Sequence, residues 1–289
     1  MTARRVMVLL LISLPLVGCK WFAPTQMRPV AAARGSAPSS AVLPSHARNW
    51  EPEQAELPYA TFRGHKVKIY NIRNNRYVSA NNFSVRHENK TFDLEDLDTV
   101  EFIVVPFKET PALGHTMLSF GFRGEKYLAV SVEVRKEKGE TYHPIRGLFG
   151  QYELMYVVGD ERDLIGLRAV HREDDVYLYR ARATPEQARA LFIDVFKRVN
   201  AIHEQPEFYH TLTNNCTSNL AGHVNRLAAG RIPYDKRLLL TGQADRLAYD
   251  LRLLDTELPF EEARRQANIS HLAREHADSR RFSQRIRRR

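Results

Sequence analysis

Between residues 99 and 134 the chain carries three stretches that can bury themselves only as neighbouring strands. Thr99–Phe107 (TVEFIVVPF) is a β-branched run. Thr116–Phe122 (TMLSFGF) and Tyr127–Val134 (YLAVSVEV) flank a short turn containing Gly124, the pattern of a hairpin. His65–Asn71 (HKVKIYN) alternates polar and apolar residues, as a half-buried strand does. Leu154–Val158 and Val176–Tyr179 add two more strands, and charged loops lie between them at 135–139 and 159–163. The second loop, GDERD, reads as solvated.

Helical patterns follow the strands. Thr184-Pro185-Glu186-Gln187 is a capping box with proline at the first helical position. Ala188, Leu191, Phe192, Val195, Val199 and Ile202 then mark one helical face. A second helix is expected from about Asn215 to Ala229, stopped by Gly230, and a third within 243–255. The expected architecture is a single α+β domain over 59–260, an antiparallel sheet packed with helices.

The N-terminus carries a different message. Arg4 and Arg5 precede a twelve-residue apolar run, Val6–Val17. That is short of the about 20 residues a spanning helix needs, and it reads as a secretory signal over 1–18. It ends Leu16-Val17-Gly18-Cys19, which resembles a bacterial lipobox. Cys19 is then the expected lipidation site, and Lys20 rather than Asp behind it favours the outer membrane over the inner. Residues 19–58, punctuated by six prolines, read as a tether. Such a flexible segment would span roughly 30–40 Å.

Charge argues against nucleic acid as a partner. The formal net charge of +9 is concentrated in residues 261–289, which hold nine arginines against four acids. Residues 19–260 are close to neutral, whereas a nucleic-acid enzyme carries a basic face on its fold. The arginine-rich tail reads as a frayed amphipathic helix or as disordered. No metal or organic cofactor motif is present, and the oligomeric state is not legible.

The segment Thr211–Leu220 (TLTNNCTSNL) carries the candidate chemistry. Thr213 or Asn214 is a natural N-cap, which puts Cys216 in the first turn of its helix. There the helix dipole and free N–H groups favour a thiolate and can hold an oxyanion. With Cys19 lipidated, Cys216 has no intramolecular disulfide partner. His115, on the strand opening His115-Thr116-Met117, is the candidate base. If the hairpin turn holds an odd number of residues, Ser131, Glu133 and Arg135 share its face, and Glu133 could orient the ring. His171, His203, His210 and His223 compete for the base, and Cys216 has the alternative of being a small buried hydrophobe.

The segments HTMLSFGF (115–122), SVEVRKEKGE (131–140), GQYELMYVVGDERDLIGLR (150–168), EFYHTLTNNCTSNL (207–220) and ADRLAYDL (244–251) occur in this order. Together they resemble the periplasmic domain at the N-terminus of the Lnb-type lipoprotein N-acyltransferases, over roughly 60–255. The resemblance implies a papain-like thiol fold of the permuted NlpC/LRAT-like kind, in which a histidine strand precedes a cysteine helix. It implies Cys216 as nucleophile, His115 as base, and Asn214 and Asn215 as residues shaping the nucleophile turn. Tyr127, Arg135, Glu137 and Asp160 fall in the matching motifs as further substrate-site candidates. Lnb-type enzymes continue into membrane-spanning segments, whereas here no apolar run of that length follows and a lipid anchor would supply membrane proximity.

Three functions follow as expectations. The first is a membrane-anchored acyltransferase or acyl-ester hydrolase that works through a thioester on phospholipid or lipoprotein acyl groups. The second is a cell-wall thiol amidase or peptidase. The third is a lipoprotein binding module without catalysis.

Overall fold

The computed structural model describes residues 43–288. The expected signal (1–18), Cys19 and the first part of the expected tether lie outside the described residues. Among the described residues ten strands form, and eight of them make one sheet. The first half of the chain gives β1 (Tyr59–Arg63), β2 (Lys66–Arg73), β3 (Arg76–Ser79), β4 (Asn82–Ser84) and β5 (His87–Asp93). Three long strands follow: β6 (Leu97–Phe107), β7 (Thr110–Phe122) and β8 (Lys126–Arg135). After the short α1 (Pro144–Gly147) come β9 (Glu153–Gly159), α2 (Glu161–Gly166) and β10 (Tyr177–Arg180). The sheet order is β1-β2-β9-β8-β7-β6-β10, with β5 also on β2 and β3-β4 forming a separate pair. Every ladder is antiparallel except the contact of β2 with β9.

The turn between β7 and β8 sets the register of the sheet centre. It spans residues 123–125, with Gly124 at φ +77° and Glu125 at +59°, and it pairs Phe122 with Lys126 and Met117 with Ser131. Strand side chains alternate faces, so odd-numbered residues of both strands point the same way.

Helices cover both faces of this sheet. On one face Leu118, Phe120, Val130, Val132 and Tyr156 meet α3 (Pro185–Glu204) and α4 (Cys216–Leu227). The α3 capping box forms as its sequence pattern predicts, and Phe192 stands edge-on to Phe120 at 5.0 Å. On the other face Ile103, Val105, Met117, Ala129 and Val157 meet Leu164 and Ile165 of α2 and the C-terminal helices. Double coverage explains why β9 is buried along its whole length. After α4 the chain forms a 3-10 turn (Thr241–Gln243) and then α5 (Ala244–Asp250). Thr241 Oγ1 accepts from Gly114 N at 2.8 Å and donates to Gly114 O at 2.6 Å. Gly242 lies so close to β7 that a Cβ there would strike the carbonyl oxygens of Pro111 and Leu113.

Three stretches differ from their sequence reading. Residues 43–58, expected inside the tether, pack on the sheet. Trp50 is buried beneath the Arg135 guanidinium, 4.2 Å from its ring, and Gln54 exchanges hydrogen bonds with Val134 O and Lys136 N. Proline content hid the side chains that dock there. The arginine-rich tail folds into α6 (Phe260–Ala267), α7 (Ser270–Glu275) and α8 (Phe282–Arg285), with Phe282 and Ile286 in the core. Each helix is short and buries only a few side chains, too few for a visible period. The GDERD loop is not solvated: Asp160 caps α2 by accepting from Arg162 N, and Glu161 and Asp163 are fully buried.

Candidate functional site

Cys216 is the first residue of α4, one position earlier in its helix than an Asn214 cap would place it and two earlier than a Thr213 cap. Asn215 is the N-cap: its side chain accepts from Ser218 N at 2.8 Å while Ser218 Oγ accepts from Asn215 N at 2.9 Å. Asn215 Nδ2 also donates to Thr211 O. Asn214 donates to Phe208 O and accepts from Asn219 Nδ2, so the two asparagines knit the turn ahead of the cysteine. The thiol is buried, with 5 % of the residue exposed, and Sγ lies 3.8 Å from Thr217 Oγ1. The rings of Tyr142 and Tyr209 lie edge to face beside it, 6.2 Å apart. Burial raises both phenols above their ordinary pKa, so both stay protonated.

His115 does not join this group. Thr116 Oγ1 lies 3.1 Å from Thr217 Oγ1, so Thr116 points at α4. His115 is the next residue along β7 and points to the other face, with Met117 and Val105. The body of the sheet therefore stands between His115 and Cys216, and the Cys216–His115 dyad expected from the sequence is not assembled. His115 Nε2 sits 2.6 Å from Ser131 Oγ, which donates to Glu133 Oε1 at 2.8 Å, and the ring is 3.7 Å from that carboxylate. The odd-numbered turn thus does put Glu133 beside His115, as that reading required. Burial, then the positive charge of Arg168, lowers His115 to about 3 and leaves it neutral. Burial opposes ionisation of Glu133, but neighbouring positive charge, including Arg73 and Arg168, and the Ser131 hydroxyl hold it at about 2.

The other histidines are engaged elsewhere. His223 lies on α4 but two turns on, about 10 Å along the axis. Its Nε2 lies 2.8 Å from Tyr156 Oη and its Nδ1 2.6 Å from Asp194 Oδ2. His210 Nδ1 accepts from the backbone of Leu212 and Thr213. His171 and His203 pack against Tyr77 and Tyr59.

The remaining candidates are spread apart. Arg135 donates to Gln54 O and Ala55 O beneath the N-terminal strap, and Glu137 pairs with Arg48 at 2.9 Å. Tyr127 carries the Arg287 guanidinium 3.6 Å above its ring. Asp160 stands at the α2 N-terminus, its pKa pushed up to about 6, chiefly by burial.

Two features escaped the sequence reading. One is a buried ion network under the opposite face, where Arg73 pairs with Asp163 at 3.0 Å and Arg287 bridges Glu101 and Glu161 at 3.1 and 2.6 Å. Its signal was the acid-rich GDERD segment itself. The other is an apolar cavity of about 440 Å³ on the α4 face. Leu191, Leu220, Val224, Leu247 and Phe102 line it, and so does Thr217, the neighbour of Cys216. Arg182, Glu186 and Arg231 supply its charged lining.

The family profile of the Lnb N-terminal periplasmic domain matches residues 84–253, more than half of the chain. The chain belongs to this family. Membership of the Lnb N-terminal family supports a periplasmic location. The matched span runs from the end of β4 through α5, so it holds Cys216, His115 and most of the cavity wall. The N-terminal strap and Arg287 lie outside it. No curated protein and no solved structure matches significantly. Among the described residues, no helix is long and apolar enough to cross a membrane.

Proposed function

We propose that this periplasmic domain holds the acyl chain of a lipid in the cavity between α3, α4 and α5, and that Cys216 receives the acyl group. The observation that carries the reading is the cavity itself. At about 440 Å³ it falls within the roughly 300–1,000 Å³ of ordinary ligand sites, and its walls are mostly aliphatic. Arg182, paired with Glu257, and Arg231, which donates to Leu251 O, stand at its margin, where a polar headgroup would lie. Lipidation of Cys19 would keep the domain beside its substrate, in the outer membrane by preference.

The transfer step balances without an added reagent. The Cys216 sulfur bonds to the ester carbonyl carbon and the carbon–oxygen bond to the alcohol breaks. The thiol proton ends on the departing alcohol. A second acceptor, an amine or water, then cleaves the thioester and restores the thiol. The first-turn N–H groups of α4 and the protonated phenols of Tyr142 and Tyr209 suit the oxyanion between these states. His115 has no part in the step.

A second reading, acyl-chain binding without transfer, is favoured by the burial of Cys216 and by the lack, among the described residues, of a histidine hydrogen-bonded to the thiol. One experiment separates the two. The protein is incubated with a fluorescent palmitoyl phospholipid, and bound probe and acylated Cys216 are measured by fluorescence and peptide mass spectrometry. Binding that Ala221→Phe blocks, with hydroxylamine-labile acylation of Cys216, is the expected result. Binding without acylation leaves only the second reading. Absence of binding sinks both.

A further inference from the structure

A second cleft, of about 390 Å³, lies far from the thiol in the fold, where the C-terminal helices meet the β7–β8 turn and the start of α2. Its lining is mixed, with Phe92, Tyr127 and Phe282 beside four cations and the two acids Glu125 and Asp160. Lys126, Arg162 and Arg280 line the cleft, and among the described residues none of the three side chains forms an ion pair or hydrogen bond. Lys90 adds a fourth charge, partly committed to Glu88 at 2.7 Å and Asp160 at 3.9 Å. Three unpaired cations converging on one concave site are poised for a multiply charged anion.

The cleft also presents acceptors. Gln284 donates through Nε2 to Glu125 O at 2.9 Å, while its Oε1 is buried with no hydrogen-bond partner. The atom has no accessible surface as it stands, so a ligand hydroxyl meets it once the amide turns into the cleft, a turn favoured because burying an acceptor without a donor is costly. Asp160 adds a carboxylate with an oxygen beyond the one that caps α2. Ser283 and Ser279 supply hydroxyls. A bare inorganic anion would satisfy the cations and leave Gln284 Oε1 unpaired.

We propose that this cleft binds the phosphate ester of a polyol, the phosphate on Lys126, Arg162 and Arg280 and the ligand hydroxyls on Gln284 Oε1 and Asp160. Such an ester occurs free and as a lipid headgroup. The site is independent of Cys216 and stands whether or not the acyl-chain reading holds.

The test is isothermal titration of the full chain with glycerol 3-phosphate and with dihexanoyl phosphatidylglycerol below its micelle concentration. Lys126 and Arg280 are exposed, so Lys126→Ala/Arg280→Ala leaves the fold intact. Binding of either probe, weakened at least tenfold in that variant, is the expected result. Preference for the free ester or for the lipid identifies the source. Failure of both probes to bind, or equal binding by the variant, overturns the proposal. Gln284→Leu, which keeps the size but removes the acceptor, should weaken the hydroxyl-bearing ester while leaving inorganic phosphate unchanged. Equal loss for both would remove Gln284 from the site.

Discussion

Thr116 of β7 touches Thr217 of α4 through their hydroxyls, 3.1 Å apart. That contact fixes which face of the sheet the cysteine helix covers. It places the thiol with Thr116, Leu118 and Phe120, and it leaves His115 with Ser131 and Glu133 on the far side.

The first prediction follows from that separation. His115→Gln should leave the iodoacetamide alkylation rate of Cys216, followed by peptide mass spectrometry across pH 6–9, within about twofold of the native rate. Tyr209→Phe, which removes a phenol beside the sulfur, should change it more. A large drop in the His115 variant with the fold intact would mean that the ring does reach the thiol.

His115 should leave its mark on stability instead. Its pKa of about 3 in the fold compares with about 6.5 in the unfolded chain. The unfolded chain therefore takes up the proton first, so this contribution is complete above pH 6.5 and declines as pH falls toward 3. Between pH 7 and 5 the loss is about 2 kcal/mol. Urea unfolding at the two pH values should show this decline in the native protein and a shallower one in His115→Gln.

Asp160 acts in the opposite sense. Its folded pKa of about 6 exceeds the ordinary carboxylate value near 3.9, so the folded state holds its proton longer. Its contribution is most favourable below pH 4 and is lost as pH rises through 6. Asparagine is an equally good N-cap and cannot ionise. Asp160→Asn should therefore raise stability at pH 7 by about 1 kcal/mol, with the side chain's 28 % exposure limiting the gain. Thermal unfolding at pH 7 and pH 4 tests this: the gain should vanish at the lower pH.

Removing Arg287 should be among the most damaging single changes away from the thiol. Its guanidinium pairs with Glu101 and Glu161, of which Glu161 is fully buried and also accepts from Ser119 Oγ at 2.5 Å. Arg287→Met strands two buried carboxylates and should cost about 3–5 kcal/mol. Glu101→Gln/Glu161→Gln/Arg287→Met should recover a substantial part of that loss in chemical denaturation. Equal instability in the triple variant would assign the effect to packing against Tyr127.

Much of the fold was legible because its signals are local. The β7–β8 hairpin shows in its alternation and its Gly124 turn, and α3 in its capping box. The sequence left the register of that hairpin open, and its three-residue turn brings Glu133 beside His115. What local pattern could not carry is the side of the sheet on which a later helix docks. Adjacent strand residues face opposite ways, so a histidine next to a threonine that touches α4 is as remote from that helix as the sheet allows. The start of α4 was readable to within one or two residues, the cap expected at Thr213 or Asn214 falling at Asn215, because its hydrogen bonds close within a few residues. The cavity was not, because its walls come from α3, α4, α5 and β6, which only the folded chain brings together. GDERD was misread because charge density on a short loop looks the same whether water or an arginine over 100 residues away satisfies it.

The Arg287 clasp has a consequence for how the molecule reaches its native state. The guanidinium meets carboxylates that lie 186 and 126 positions away along the chain. Contacts of such long sequence separation form late and slowly, because chain entropy must be spent before they give anything back. Until the C-terminal helices dock, the part of the Met117 and Val157 face that α2 does not cover stays open, beside two acids without their arginine. Loss of the last helices would therefore leave apolar surface and two acids open together on one side of the sheet.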